Sequence, residues 1–324
     1  MKVCVVGAGA IGGWMGVKFA QAGHVVSVLA RGATLAAIRG KGLQLVADGA
    51  TTGVSVTAAA NAVELETPDL LIIAVKAPGL RDAALALRSL IGANTLVLTA
   101  MNGVPWWFFD RADRPLAGTR LASIDASGDI AASIPAGNVI GCVVHAACSV
   151  DAPGVIRHKI GQRLIIGEPA GGASARLKAM HETLANAGFE PESSIDIQRD
   201  VWFKLWGNLT MNPVSAITGA TTDKILDDQL TREFCSAVML EAQAIGIKIG
   251  IPIEQTPEAR HDVTRKLGAM KTSMLQDVEA NKGVELDALV ASVCEIGQKV
   301  GVATPFTDAM LGLTRLMARQ RGLY

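Results

Sequence analysis

Short runs of aliphatic and β-branched residues alternate with segments of helical period through the N-terminal part of the chain. Residues 3–6 read as a strand, 11–22 as a helix and 25–29 as a second strand. The apolar runs 70–75 and 95–98 are two more strands, separated by a helical segment over 81–90. Runs without polar alternation are what a parallel sheet needs when crossover helices cover both of its faces. The pattern predicts an α/β fold built on a doubly wound sheet. Between residues 139 and 167 the turn signals "VDAPG" and "KIGQ" interrupt the apolar runs, which predicts antiparallel strands and a mixed continuation of the sheet. From Ile195 onward strand signals vanish. Helical period takes over, with stops at Pro213, Gly250-Ile251-Pro252, Asn281-Lys282-Gly283 and Thr304-Pro305. The predicted organisation is a sheet domain over 1–195 and a second, all-helical domain over 196–324.

Composition narrows the class of partner. Half of the 324 residues are apolar, enough for a large core. Thirty basic residues balance thirty acidic ones, so no long-range field favours nucleic acid or an anionic membrane, and a small-molecule partner is expected. The five cysteines are scattered without metal-ligand spacing, which predicts no disulfide framework, no metal site and a reducing cytoplasm. Glycines interrupt the first apolar run before a signal peptide could form, and no run is long enough to span a membrane.

The sequence Gly7-Ala8-Gly9-Ala10-Ile11-Gly12 matches GxGxxG, a weak pattern alone. Here it follows a predicted strand and opens a predicted helix, the context a Rossmann-type dinucleotide site requires. Gly7 allows the tight turn, Gly9 lets backbone approach a pyrophosphate, and Gly12 lets helix and strand pack closely. The helix N-terminus supplies free N–H groups and partial positive charge. At the end of the second strand, where an NAD enzyme carries an acid for the ribose 2′-hydroxyl, this chain has Arg31. A guanidinium there suits the 2′-phosphate of NADP; the bland alternative is a solvated arginine at a helix start. Lys76 and Asn102-Gly103 follow the next two strands, at the edge where open α/β sheets bind ligands.

A polar stripe crosses an otherwise apolar helix. Lys204, Asn208 and Asn212 recur every fourth residue within "FKLWGNLTMNP", among Phe203, Leu205, Trp206, Leu209 and Met211. An unpaired ammonium cannot be buried cheaply, so this face must look into a polar cleft, water or a ligand. The alternative, an ordinary solvated face, does not account for two asparagines, which are poor helix formers, nor for Gly207, which weakens a helix unless something approaches closely. Hydride delivered to a carbonyl carbon leaves charge on oxygen, and a partly desolvated lysine is a suitable proton donor for it. Of the five histidines none lies in a catalytic pattern; His24 reads as a loop residue, His181 and His261 as surface helix residues.

Together these pieces resemble the ketopantoate reductase (2-dehydropantoate 2-reductase) family over essentially the whole chain. The matching segments are "GAGAIG", Arg31, "VKA" at Lys76, "NG" at Asn102, "HAA" ending at Ala147, "KLWGNLTMNP", "SMLQD" from Ser273 and "GVELD" ending at Asp287. The resemblance implies that residues 7–12 cradle the NADPH pyrophosphate and that Arg31 takes the 2′-phosphate. Lys76, Asn102 and Ala147 would lie along the ribose and nicotinamide, with Asn102 also at the substrate. Lys204 would be the general acid. Asn208 and Asn212 would hold hydroxyl and carboxylate ends of a 2-keto acid, Ser273 its carboxylate, and Glu285 would bond at the substrate and cofactor end, with a catalytic part. Read alone, Ser273 is equally an N-cap and Glu285 a first-turn acid.

The chain departs from the family pattern at Val290-Ala291, where members carry Asn-Gly, and at Met270 and Thr222, where some carry asparagine. All three departures fall on the substrate side. They leave cofactor and chemistry intact and bear on which keto acid is held; the activity the resemblance implies is NADPH-dependent reduction of ketopantoate to (R)-pantoate in pantothenate biosynthesis, with two alternatives. One is an NAD(P)-dependent 2-hydroxy-acid dehydrogenase with a different pocket, which the run Trp106-Trp107-Phe108-Phe109 would line unless it packs a helix start. The other is a non-catalytic NADP sensor, for which the retained polar set is surplus. The apolar C-terminal helix around Met310, Leu313 and Leu316 serves either its own domain or a homodimer.

Overall fold

A computed structural model describes residues 1–324. They form two compact units, 1–101 with 127–200 and 102–126 with 201–324. The first holds every strand: β1 (Lys2–Val6), β2 (Val25–Leu29), β3 (Leu43–Ala47), β4 (Ala50–Val54), β5 (Thr57–Ala59), β6 (Leu70–Ile73), β7 (Leu96–Thr99), β8 (Val139–Ala152), β9 (Val155–Gly167) and β10 (Glu190–Ser194). Their order is β4-β3-β9-β8-β7-β6-β1-β2-β5, with β10 paired to β9. β2 and β5 lie to one side of β1, β6 and β7 to the other, and all five run parallel. The winding thus reverses at β1, as the doubly wound reading requires, and the reversal opens a crevice at its carboxyl end. The central strands bury both faces: all four residues of β6 are inaccessible, as are nearly all of β1. Trp14, Met15, Val17 and Phe19 of helix Ala10–Gln21 join Val5, Val26, Leu43 and Ile156 in one core. Each such side chain contributes about 1.5–3 kcal/mol of hydrophobic stabilisation.

Two turn signals have different outcomes. "VDAPG" is the tight turn between antiparallel β8 and β9, with Gly154 at φ +77°. "KIGQ" is no turn but a bulge inside β9. His145 pairs with Arg163 and Ala147 with Ile160, so Gly161 and Gln162 together oppose Ala146. Gly161 has φ +82°, and a Cβ there would stand 2.5 Å from the His145 carbonyl oxygen. The glycine signals a left-handed backbone position, and a bulge meets that need as well as a turn does. The β3–β4 hairpin was missed, although Asp48 and Gly49, at φ 50° and 79°, carry the sequence of a two-residue hairpin turn.

The second unit is helical throughout, and its longest helix, Ile197–Thr218, begins in the last residues of the first. Trp202, Leu205, Trp206 and Leu209 are buried, and Trp206 Nε1 donates to the Met239 carbonyl at 2.8 Å. The expected stop at Pro213 does not occur. Proline removes one backbone bond at a cost of about 3 kcal/mol, and the burial of Val214, Ser215 and Ala216 on the following turn outweighs it. A single boundary at 195 also omits the excursion 102–126, which packs with the helical unit. Trp106, Trp107, Phe108 and Phe109 are its buried anchor, in a turn rather than a helix start, with Phe108 6.0 Å from Trp202.

Glu295 fastens the other end of the excursion. Its carboxylate accepts from the backbone N–H groups of Ala122 and Ser123 at 2.8 Å and from the Ser123 hydroxyl at 2.7 Å, capping the short helix Ala122–Asp125. Burial acts to raise its pKa, but these bonds outweigh it and hold the carboxyl below its usual value. A depressed carboxylate adds stability above its unfolded pKa of about 4.3 and loses it as pH falls through the lower folded value. Glu295→Gln is expected to cost about 1–3 kcal/mol near neutral pH, and its deficit against the wild type should shrink on acidification below about pH 4, both read from denaturant midpoints.

Candidate active site

In the sheet unit the three motif glycines divide into two kinds. Gly7 has φ +93°, and a Cβ on it would meet the Ala74 backbone at 2.9 Å; one on Gly12 would stand 2.1 Å from the Gly7 carbonyl oxygen. Both are required by the protein's own packing. Gly9 is exposed, at φ −79°, and a Cβ there would meet nothing within 4 Å. The chain itself gives no reason for glycine at that point, whereas a group seated above the loop would. Gly9 is the N-cap of helix Ala10–Gln21, whose first turn carries no acid to compete with an anion. Ala8, Ala10 and Ile11 complete the loop, half-buried.

Arg31 is exposed at the end of β2, immediately before helix Gly32–Lys41, and caps nothing with its side chain. It lines a pocket of about 270 Å³ with Leu29, Ala60, Asn61, Ala62, Val63 and Ala86. Asn61 escaped the sequence reading because the short strand β5 before it gives little periodic signal. Lys76 is half-buried beyond β6, at the start of the single turn Ala77–Gly79. Ala147 lies beside the β9 bulge, where the changed register re-aims its neighbours.

The polar stripe is gathered in the helical unit. Lys204 Nζ donates to Asn102 Oδ1 at 2.8 Å. Asn208, one turn along, is half-buried and makes no side-chain hydrogen bond within the chain. Asn212 is 4% exposed, its Nδ2 3.4 Å from Ser273 Oγ. The cap of helix Ser273–Glu279 is Thr272, whose Oγ1 accepts from the Leu275 N–H at 3.2 Å. Ser273 is therefore no N-cap, and its hydroxyl faces Asn212. Glu285 is 9% exposed and precedes the helical turn, accepting the Leu289 N–H through its carbonyl.

A register shift after Glu285 holds Asn102 in place. Residues Asp287–Ala291 form a π-helical turn, in which the Ser292 N–H bonds to the Asp287 carbonyl. That leaves the Ala288 carbonyl for other donors, and it accepts the Val104 N–H at 2.9 Å and the Ser292 hydroxyl at 3.0 Å. Gly103, at φ +84°, passes so close that a Cβ would stand 2.5 Å from the Ala288 oxygen. The backbone on either side of Asn102's neighbour is thus pinned to the segment that carries Glu285.

Thr222 and Met270 meet, the Thr222 N–H bonding to the Met270 carbonyl at 3.0 Å while its hydroxyl bonds to the Gly268 carbonyl at 2.9 Å. Val290 and Ala291 lie inside the π turn. His261 is not at the surface: it is 1% exposed, within 3.0 Å of Ser236 Oγ, and burial pushes its pKa down. Gly207 has the close neighbour its presence implied, the guanidinium of Arg260.

Residues 3–171 match the family described as Ketopantoate reductase PanE/ApbA, and 196–318 match its C-terminal domain. A 2-dehydropantoate 2-reductase from Mesorhizobium japonicum is 45% identical over the whole of both chains. The crystal structure of a candidate ketopantoate reductase from Ralstonia solanacearum is 57% identical, with TM-score 0.97 over 100% of this chain and 99% of that one. That of 2-dehydropantoate 2-reductase from Methylococcus capsulatus is 28% identical, with TM-score 0.83 over 99% and 98%.

The two kinds of glycine predict opposite outcomes for alanine. Gly12→Ala forces a backbone clash and is expected to lower stability by about 1–3 kcal/mol. Gly9→Ala should leave it within about 0.5 kcal/mol of wild type. Equilibrium urea unfolding of both variants checks the contrast, and equal losses would contradict it.

Proposed function

The chain belongs to the ketopantoate reductase family, and from that premise we propose that it reduces 2-dehydropantoate to (R)-pantoate with NADPH, Lys204 being the general acid, as a step toward pantothenate. Membership makes it an oxidoreductase acting on CH–OH groups. The observation that carries the finer reading is the Lys204 ammonium, held at 2.8 Å on Asn102 with the unengaged amide of Asn208 one turn away.

The glycine loop fits a dinucleotide, since the missing Cβ of Gly9 and the acid-free helix N-terminus suit a pyrophosphate. Arg31 and its pocket suit the 2′-phosphate end. Lys76, Asn102, Ala147 and Glu285 are assigned to the ribose and nicotinamide side. The reduced nicotinamide, when bound, supplies the hydride for C2 of the keto acid. Lys204 counters the charge that develops on the C2 oxygen and gives it a proton from Nζ. Asn102, as acceptor, fixes the direction in which Nζ points. Asn208, Asn212 and Ser273 orient hydroxyl and carboxylate groups without a competing charge. Glu285, almost wholly buried, orders the same end of the site.

A second reading has an observation of its own. The Thr222 hydroxyl is already engaged by the Gly268 carbonyl, and Met270 replaces an amide with a thioether. This lining favours a less polar side chain on the acid, hence an NAD(P)-dependent 2-hydroxy-acid dehydrogenase of the same family. No helix is long and apolar enough to cross a membrane. Five cysteines that form no disulfide support work in the cytoplasm, and exposed Leu313 and Leu316 support a homodimer.

Initial rates of NADPH oxidation with a panel of 2-keto acids decide between the readings. Ketopantoate is expected to give the highest kcat/KM. A better acid would transfer the mechanism to another substrate, and no stimulation by any acid would end the reductase reading. Lys204→Ala is expected to lower kcat by about 10²–10⁴-fold, and an unchanged kcat would remove it as the acid. Arg31→Ala should raise KM for NADPH by roughly tenfold or more while leaving KM for NADH unmoved, and an equal rise for both would show that it does not read the phosphate.

A further inference from the structure

Helix Pro305–Gln320 ends in a Schellman motif. Gly322, at φ +67°, gives its N–H to the Arg319 carbonyl, and the Leu323 N–H reaches the Ala318 carbonyl at 2.8 Å. The reversal buries Leu323 and sets the Tyr324 ring, by its centroid, 5.4 Å from the Arg319 guanidinium carbon. These contacts finish the helix without any use of the Tyr324 hydroxyl.

Two further bonds leave this segment, and they fall on either side of Glu285. The Leu323 carbonyl accepts the Val284 N–H at 3.1 Å, and the Tyr324 hydroxyl donates to Asp287 Oδ1 at 2.7 Å. Residues 282–285 belong to no helix or strand, so the N–H of buried Val284 has no ladder of its own and depends on Leu323. Asp287 opens the π turn whose Ala288 carbonyl takes the Val104 N–H. A hydrogen bond to a carboxylate is roughly twice as strong as one between neutral groups. Burial and the Asp287 carboxylate push the Tyr324 phenol's pKa up, which keeps the hydroxyl a donor through neutral pH. Packing does not explain that hydroxyl. Tyr324 is 44% exposed, and a phenylalanine would meet Arg319 equally well.

We propose that Tyr324 is a positioning residue for the reductase site: by holding Asp287 it fixes the backbone from Glu285 into the π turn, and with it the places of Glu285 and Asn102. This deepens the reductase reading and rests on it. The path runs through hydrogen bonds and short stretches of backbone. The Tyr324 hydroxyl holds Asp287, the adjacent Ala288 holds Val104, and Asn102, two residues before Val104, accepts from Lys204 Nζ. Misplacing a reacting group by about 1 Å can cost about 10²-fold in rate. A bond remote from the substrate is therefore felt in kcat.

The test compares wild type with Tyr324→Phe, Asp287→Ala and Asp287→Asn, using NADPH and ketopantoate. Tyr324→Phe and Asp287→Ala are each expected to lower kcat by roughly 3–30-fold. KM for NADPH, set by the glycine loop and Arg31, should stay within about twofold. The double variant should be no slower than the worse single, because both lose the same bond. Asp287→Asn keeps an acceptor and should keep most of the rate. Deuterium exchange over residues 284–292 should quicken by about threefold or more in Tyr324→Phe, with the sheet unit as protected as in wild type. Losses that multiply in the double variant, equal losses in Asp287→Asn and Asp287→Ala, or unchanged exchange would overturn the assignment. So would a urea midpoint that falls while kcat holds, since the bond would then serve the fold alone. If wild type turns over no keto acid, the reductase reading fails and exchange decides by itself. Faster exchange at 284–292 in Tyr324→Phe sustains Tyr324 as the group that positions Glu285, and unchanged exchange overturns it.

Discussion

A side chain as flexible as lysine has to be aimed to be of use, and the bond from Lys204 Nζ to Asn102 Oδ1 at 2.8 Å aims it. Its acceptor lies on the excursion 102–126, distant in sequence from the helix that carries the donor. The geometry of the donor therefore depends on how firmly that excursion is held. Three fastenings hold it: the buried aromatic run from Trp106 to Phe109, the Glu295 cap on Ala122 and Ser123, and the contact of Gly103 and Val104 with Ala288. Each is of a different physical kind, so no single change releases all of them.

The third fastening shows how a local departure from regular structure becomes useful. A regular α-helix would bond the Ala288 carbonyl to the Ser292 N–H. The π turn moves that N–H to Asp287 and makes the Ala288 oxygen available to the excursion. Because the turn follows Glu285 directly, one register shift ties the position of Asn102 to that of Glu285. Val290 and Ala291 lie within the same turn.

The parts of this structure legible in the sequence were those governed by local pattern. The strands β1, β2, β6 and β7 are apolar runs of the length a buried parallel sheet demands, and their register follows from that burial. The stripe of Lys204, Asn208 and Asn212 was legible because the helix period fixes one face. What was not legible depends on partners far away in sequence. Pro213 reads as a stop only if the packing of Val214 and Ala216 is unknown. Gly161 announces a left-handed backbone without saying whether a turn or a bulge will use it. The excursion has no helical or strand period, so nothing local tells that its aromatics join the helical unit. Thr272 and Ser273 are adjacent hydroxyls, and only coordinates decide which caps the helix and which meets Asn212.

Glycine gives the sharpest instance of this limit and of what can be learned beyond it. Gly7, Gly9, Gly12, Gly103 and Gly207 look alike in a sequence. In the structure the Cβ missing from Gly7, Gly12 and Gly103 would collide with backbone, so those positions serve the fold. The one missing from Gly9 would meet open space, so its reason lies outside the chain. Gly207 belongs to neither group, because the space it leaves is filled by a side chain that is itself unanswered.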